Sequence, residues 1–393
     1  SQLFDGTFIN VWRGLYSESF AQRSNARGYD RIIVAEPAAY KTIMAACPET
    51  ISYDKAVTYL ATFAAQFEGV ENADVIIDNV SNDSAAAVNA LLRAGKTVAM
   101  ITEGDEKGNF ICSYEDFLTI AKDYVITATG VYGANYKAAV ILNPLVFLPG
   151  KPANNTSGYV ETTLRSGSYN YRFDWLALTA MGFTMTEDLS KANVIVGSQK
   201  LSDEALGAVK AGTPYMAYGA TAFMGEGNFL LGLGVKLDSC TMGTDFLGRV
   251  VYPSNTLVNA SYINEADDVM YEYGTYWFSK IPEGATVLVQ NAGKAPLQGC
   301  ICLTDDELTE EFNQYNNGVV GFEYQSGKLD MALFANVLNH KIHQTDEYTF
   351  ISNFIFSRSL TETAYEGVAQ PENPDPVNPG KPEEPGKPDA PKT

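Results

Sequence analysis

Two stretches of the chain share a pattern of hydrophobic and polar positions that is typical of a β-α-β unit. In the first, an apolar strand at 73–77 precedes a helix that begins at the capping residues 81–84 and ends at Gly95, and a second strand follows at 97–101. The same order recurs as a strand, a helix and a strand at 192–196, 201–212 and 215–218. Each unit predicts parallel strands joined by a right-handed crossover.

The second unit is extended on its N-terminal side. Residues 138–142 predict a further strand, residues 150–158 form a loop rich in Gly, Asn and Ser, and apolar residues at helical spacing run from Phe173 to Ala180. The order β-α-β-α-β from 138 to 219 favours a doubly wound, flavodoxin-like sheet. The chain is therefore predicted to be an α/β protein with two related β-α-β halves.

After residue 235 the pattern changes to short strands separated by polar loops. Residues 246–252 and 285–290 predict strands, 319–327 predict a hairpin, and 345–360 predict a closing amphipathic helix. We therefore expect an antiparallel β extension of the parallel core. The predicted domains are an α/β domain at 1–135 that is a remnant or repeat of the second, an α/β domain at 136–365, and a Pro-rich disordered cell-wall linker at 366–393.

Composition restricts the partners of this chain. It has 393 residues, of which 46% are hydrophobic, and a formal net charge of −20. The hydrophobic content suffices for globular cores, whereas the charge disfavours nucleic acid and anionic membranes, because both would repel the chain. No apolar run approaches 18 residues, so no membrane span is predicted.

The cysteines are odd in number and scattered, and we interpret all of them as small core residues: Cys47, Cys112, Cys240, Cys300 and Cys302.

The stretch 370–393 contains eight prolines and no aromatic residue. It cannot bury enough apolar surface to offset its ordering entropy, so it favours an extended polyproline II spacer. Its last residues, from Ala390 to Thr393, resemble the first four of a variant sortase signal of the LPxTG type, which is cut between Thr and Gly. The resemblance implies an extracellular, Gram-positive surface protein joined to peptidoglycan through Thr393, with Gly as the next encoded residue. The alternative is a Pro-rich linker that was cut arbitrarily.

Several segments follow one another in an order that resembles a known family. They are NPLVFLP at 143–149, FDWLALTAMGF at 173–183, GTP at 212–214, PSNTL at 253–257, and the stretch 334–354. Over roughly residues 70–360 the chain is similar to the glutamine-amidotransferase-like module found C-terminal to the catalytic domain of bacterial zinc carboxypeptidases of the carboxypeptidase A superfamily. The resemblance implies class I glutamine-amidotransferase-like parallel sheets and an accessory role beside a zinc domain outside this chain.

The histidines do not supply the zinc site of such a peptidase. That site needs two histidines and a glutamate, with the first His and the Glu about three residues apart. This chain has only His340 and His343, without that spacing. With Asp346 or Glu347 they are weak candidates for another metal site, but a loop position with Lys341 between them favours ordinary histidines. No metal or other cofactor is predicted.

The turn after 215–218 is the place where an active class I amidotransferase carries its cysteine, backed by a histidine and a glutamate. Here the turn contains Gly219, Ala220 and Thr221, with neither Cys nor Ser. Thr221 is a weak candidate nucleophile, because no histidine base lies near it in the sequence. The turn therefore predicts that glutaminase activity is lost.

The expected ligand site is the crevice at the carboxyl ends of the parallel strands. We assign to it the turn residues Gly219, Ala220 and Thr221 and three aromatic residues, which alternatively belong to the core: Tyr169, Tyr171 and Trp175. The sequence favours a non-catalytic accessory or binding module of a secreted, wall-anchored protein. The alternatives are a free-standing surface protein that binds glycan or peptide, and a divergent hydrolase.

Overall fold

The computed structural model describes residues 36–46, 65–132, 136–150, 169–223, 228–239, 245–263, 268–273, 276–293, 297–299, 313, 315–340 and 345–368. Cys112 is buried, as predicted. The described residues exclude the stretch 370–393, which contains Thr393. They also exclude His343 and the other four cysteines. None of the helices in the described ranges combines the length and the apolar character needed to cross a membrane.

Helices and strands alternate along most of the chain and are numbered here in chain order. The helices are α1 (Pro37–Ala46), α2 (Asn82–Arg93), α3 (Tyr114–Ile120), α4 (Tyr169–Ala180), α5 (Asp203–Ala211), α6 (Ala220–Phe223), α7 (Phe229–Gly232) and α8 (Tyr348–Ser357). The strands are β1 (Gln66–Gly69), β2 (Asp74–Ile77), β3 (Val98–Ile101), β4 (Phe110–Ser113), β5 (Thr127–Val131), β6 (Ala138–Ile141), β7 (Leu145–Phe147), β8 (Thr184–Thr186), β9 (Val194–Gly197), β10 (Tyr215–Tyr218), β11 (Lys236–Ser239), β12 (Asp245–Val251), β13 (Val269–Tyr273), β14 (Tyr276–Lys280), β15 (Thr286–Asn291), β16 (Gln298–Gly299), β17 (Val319–Ser326), β18 (Leu329–Phe334) and β19 (Leu360–Ala364).

Local sequence sets the ends of the two crossover helices. Ser81 caps α2 by accepting a hydrogen bond from the N–H of Ser84, and Ser202 caps α5 by accepting one from the N–H of Ala205, each at 3.2 Å. Gly212 ends α5 with φ +119°, in the left-handed region that glycine favours. Both helices therefore form where the sequence pattern predicts them.

The first sheet has the strand order β1-β5-β2-β4-β3-β6-β19. The two strands of the first predicted β-α-β unit, β2 and β3, run in the same direction but do not pair, because β4 lies between them and is antiparallel to both. The sequence pattern does not predict β4. A short turn containing Gly108, with φ +95°, returns the chain from β3 directly into β4, so this half of the fold is mainly antiparallel.

The second sheet contains parallel strands in the order β8-β7-β9-β10-β18. Numbered by their sequence in the chain, they stand in the order 2-1-3-4-5, which is the flavodoxin-like order. Antiparallel strands β17, β15, β12 and β13 continue the sheet beyond β18. The predicted α/β class, with a doubly wound parallel sheet and an antiparallel extension, is confirmed.

One predicted strand belongs to a different sheet. The sequence predicts that residues 138–142 open the parallel sheet, but β6 pairs with β3 and β19 of the first sheet. The parallel sheet begins instead at β7, within the segment 143–149. An apolar run indicates burial but not which sheet the strand joins, which explains the difference. The domain boundary between residues 135 and 136 stays a prediction. Strands β6 and β19 lie after that boundary in the sequence, yet they complete the first sheet.

Helix α8 lies between the two sheets. Its Phe356 contacts Phe110 of β4, with 5.1 Å between ring centroids, and its Phe350 contacts Phe334 of β18 at 5.0 Å. One hydrophobic core contains side chains from both sheets, α2, α4 and α8. The face of the second sheet that points away from α8 packs on α5 in a separate core. Helices therefore cover both faces of the parallel strands.

Candidate functional site

The carboxyl ends of the parallel strands meet at one edge of the second sheet. The order of the strands reverses between β7 and β9, and ligand crevices of open α/β sheets lie outside the carboxyl ends at such a reversal. The residues that follow β7, β9, β10 and β18 form this edge, and they include Pro149, Ser198, Gly219 and Asn339. This edge is therefore the candidate site.

Asp174 of α4 is the centre of a buried hydrogen-bond network at this edge. Its carboxylate accepts hydrogen bonds from the backbone N–H and the hydroxyl of Ser198, at 2.9 and 2.8 Å. It also accepts one from the hydroxyl of Tyr218 at 2.9 Å and one from the side-chain amide of Asn339 at 2.8 Å. The network thereby joins α4 to the ends of β9 and β10 and to the segment after β18.

Burial and the hydrogen-bond network have opposite effects on the pKa of Asp174. Burial raises the pKa of its carboxyl to about 6, and the hydrogen bonds from Asn339, Ser198 and Tyr218 oppose that rise. The group is therefore mostly ionised at neutral pH. Its four donors occupy the acceptor sites of a carboxylate, so Asp174 holds the strand ends together and has no lone pair left to serve as a base or a nucleophile.

The turn after β10 has no room for a nucleophile at its first position. Gly219 has φ +83°, and its N–H donates to the carbonyl oxygen of Phe334 at 3.0 Å. A Cβ built on Gly219 would lie 2.6 Å from Cγ2 of Val337. Ala220 and Thr221 begin the short helix α6, where Thr221 is exposed and its hydroxyl makes no hydrogen bond with a described residue.

The aromatic residues assigned from sequence lie on α4. Tyr171 is buried, with 5% of its surface exposed, and Trp175 is half-buried against the same core. Burial raises the pKa of the Tyr171 hydroxyl to about 12. Tyr169 is the first residue of α4, and its side chain lies outside the described part of the chain. The buried ring of Tyr171 belongs to the core and offers little surface to a ligand.

His340 is also buried, at 5% exposure. Its ring centroid lies 6.1 Å from that of Tyr271, in a stacked arrangement, and 6.5 Å from that of Phe173. The sequence favours an exposed or satisfied histidine in a loop, and the structure places this one in an aromatic environment. Within the described ranges, which exclude His343, no three His, Cys, Asp or Glu side chains cluster closely enough to hold a metal ion.

A second buried carboxyl lies on β13. The hydroxyl of Tyr315 donates to Oε1 of Glu272 at 2.5 Å, and the side-chain amide of Asn336 lies 3.5 Å from Oε2. Burial raises the pKa of Glu272 to about 8, against the opposing effect of the Tyr315 hydrogen bond. Glu272 is therefore mostly protonated at neutral pH. Asn336 and Asn339 connect the segment after β18 to both buried carboxyls.

Sequence reasoning missed the residues that organise this edge. Asp174 lies inside the segment 173–183 that carries the family resemblance, but no sequence pattern distinguishes it from its aromatic neighbours. Its signal is a single carboxylate within a helix of otherwise apolar core positions, which indicates a buried, hydrogen-bonded charge. Its partners Ser198, Tyr218 and Asn339 come from three distant segments, and no spacing rule brings them together.

Comparisons with known proteins add solved structures of low similarity. No protein-family model matches the chain, and no curated protein matches it in sequence. A glutamine amidotransferase from Thermotoga maritima has 9% identity and a TM-score of 0.32, covering 55% of this chain and 98% of its own. PurLQS from the same organism has 13% identity and a TM-score of 0.34, covering 54% and 98%. A beta-galactosidase from Bacillus circulans sp. alkalophilus has 12% identity and a TM-score of 0.34, covering 56% and 32%.

Glutamine amidotransferases are thus among the solved structures similar to this chain. The α/β class follows from the chain's own strand order and from the helices that cover both faces of its parallel strands.

Proposed function

We propose that this chain is a non-catalytic accessory or binding module. The observation that carries the proposal is the turn after β10, where Gly219 is packed against Val337 too closely to accept a side chain. The buried carboxylate at this edge, Asp174, already accepts four hydrogen bonds. An activated nucleophile needs an available base. No hydroxyl or thiol fits at Gly219, and Asp174 has no free acceptor that could activate the exposed hydroxyl of Thr221, so both features support a structural crevice edge.

The proposal includes a location on the bacterial cell surface and an association with a zinc metallocarboxypeptidase domain. The Pro-rich composition of 370–393 supports the location, and the order of the segments between residues 70 and 360 supports the association.

Activity assays on the purified chain test the absence of catalysis. The substrates are glutamine, with ammonia release as the readout, and short peptides, with release of the C-terminal residue as the readout in the presence of zinc. We expect no turnover above the blank. Turnover that Thr221→Ala abolishes and that Thr363→Ala retains would overturn the proposal, because Thr363 is an exposed threonine on β19.

Fractionation of cells that express the full-length protein tests the location. We expect muramidase to release the chain together with cell-wall fragments, and we expect boiling in detergent to leave it in the wall fraction. Recovery of the chain from the cytoplasmic fraction would contradict the surface location. This result would leave the activity assays unaffected, so the two parts of the proposal can fail separately.

A further inference from the structure

A polar cavity of about 460 Å³ lies apart from the crevice. Glu323 and Gln325 of β17 line it, and Gln325 pairs with Asp330 near the beginning of β18. The crevice edge lies beyond Phe334, at the other end of the same strand. The remaining wall includes Thr286 of β15 and Arg358, which follows α8. The cavity volume is within the range of about 300–1,000 Å³ that is typical of small-molecule sites.

The floor of this cavity is a fixed ion network. The side chains of Arg358 and Glu323 are each only 11% exposed, and Nη2 of Arg358 donates to Oε1 of Glu323 at 2.5 Å. The same guanidinium donates from Nε and Nη2 to the carboxylate of Asp330 at 2.9–3.1 Å. It lies over the ring of Phe354, 4.8 Å from its centroid. These contacts hold the charged groups in one orientation before any ligand arrives.

The cavity retains unused hydrogen-bonding capacity. A guanidinium has five N–H donors, and the contacts to Glu323, Asp330 and the Ser357 hydroxyl account for four of them, which leaves one on Nη1. Oε2 of Glu323 accepts no hydrogen bond from a described residue. The hydroxyl of Thr286 and the amide of Gln325, both exposed at the mouth, likewise have no partner in the described part of the chain. The lining therefore offers a ligand both hydrogen-bond donors and acceptors.

The charges that line the cavity cancel. Arg358 and Glu323 are the two charged side chains that line the cavity, and as an ion pair they neutralise each other. A charged ligand would compete with this ion pair for one of its two members. The net charge of −20 further disfavours anions. A neutral ligand with many hydroxyls meets neither obstacle, because each hydroxyl both donates and accepts.

We propose that this cavity binds a neutral polyhydroxylated ligand, namely a saccharide unit, with Arg358 and Glu323 as the floor and Thr286 and Gln325 at the mouth. Each sugar hydroxyl would meet one of the available donors or acceptors. The inference goes beyond the proposed function and does not depend on it, because the cavity and the crevice lie at opposite ends of β18.

Saturation-transfer NMR on the full chain tests this site. The probes are N-acetylglucosamine, which is neutral, glucuronate, which is anionic, and glucosamine, which is cationic. We expect saturation transfer to the neutral sugar alone. Thr286→Val removes one hydroxyl and is expected to weaken binding about fivefold, since one hydrogen bond contributes about 1 kcal/mol. Thr286→Trp fills the mouth and is expected to abolish the signal.

Thr363→Val and Thr363→Trp are the matched controls, because Thr363 is an exposed threonine on a strand that does not line the cavity. They are expected to bind as the unmodified chain does, and circular dichroism checks that all variants are folded. The absence of saturation transfer to N-acetylglucosamine would overturn the proposal. So would equal transfer to all three probes, or a signal that survives in folded Thr286→Trp.

Discussion

Asp174 and Glu272 are both buried carboxyls, yet they differ in charge at neutral pH. Asp174 accepts four hydrogen bonds and has a pKa of about 6, whereas Glu272 has one close donor, Tyr315, and a pKa of about 8. Hydrogen bonds to the ionised form lower a carboxyl pKa, so the larger number of donors explains the lower pKa of Asp174. The sequence shows two acidic residues among apolar ones, and only the folded chain supplies their different sets of donors.

Glu272→Gln is predicted to change how stability depends on pH. The pKa of Glu272 is raised from 4.5 to about 8, so between these values the folded chain keeps a proton that the unfolded chain has lost. This group therefore makes the free energy of unfolding fall as pH rises, by up to about 1.4 kcal/mol per pH unit. Urea unfolding between pH 6.5 and 8, above the pKa of Asp174, should show a flatter profile for Glu272→Gln.

The matched control is Glu283→Gln, since Glu283 is exposed. We expect it to keep the pH profile of the unmodified chain. Parallel profiles for Glu272→Gln and the unmodified chain would show that the buried carboxyl does not retain its proton.

Gly219→Ala is predicted to cost more stability than Gly284→Ala. Both glycines have similar backbone angles, φ +83° and φ +82°, so both alanines would pay about 1–2 kcal/mol of left-handed strain. A Cβ at Gly284 meets nothing within 4 Å, whereas one at Gly219 would lie 2.6 Å from Val337. Thermal and urea unfolding measure the difference. An equal loss of stability in the two variants would contradict the close packing at Gly219, which supports a non-catalytic turn.

At the scale of single elements, the sequence predicts helices better than strand partners. The ends of α2 and α5 follow from serine caps and from Gly95 and Gly212, because capping is a contact between near neighbours in the chain. Strand pairing depends on distant segments. The apolar run at β6 is a strand, as predicted, but it joins the first sheet, and β4 separates two strands that a simple β-α-β unit would place side by side.

Ser202→Ala is predicted to destabilise the chain by about 1 kcal/mol, because it removes the oxygen that accepts from the N–H of Ala205. Ser202→Thr keeps that oxygen and should recover most of the loss. Urea unfolding at one pH measures both variants. If alanine and threonine lower stability equally, the cap does not contribute and the end of α5 is set by packing alone.

At the scale of the whole molecule, α8 joins the two sheets into one core. Phe356 reaches Phe110 of the first sheet and also Phe183, with centroid distances of 5.1 and 5.0 Å. A hydrogen bond of 2.6 Å from Asn79 to Asn353 adds a polar link between the loop after β2 and the same helix. The sequence predicts a closing amphipathic helix, but α8 is buried along nearly all of its length, because a helix between two sheets has no face toward solvent.

Phe356→Ala is predicted to weaken both sheets together, by about 3–5 kcal/mol, since it opens a cavity between them. Hydrogen exchange followed by mass spectrometry should show faster exchange in both β3 and β9. Phe356→Leu, which keeps most of the volume, serves as the control and should show a smaller effect. Faster exchange confined to one sheet would mean that the sheets unfold independently.

The sequence by itself determined the α/β class, the crossover helices, the antiparallel extension and the absence of a cysteine at the turn after β10, because these depend on short-range periodicity, capping and residue identity. Only the tertiary structure brought Ser198, Tyr218 and Asn339 to Asp174, assigned β6 to the first sheet and joined Arg358 to Glu323 and Asp330. Hydrogen bonds and ion pairs of this kind form between segments far apart in the chain, and their partners are selected by the geometry of packing, which no local pattern encodes.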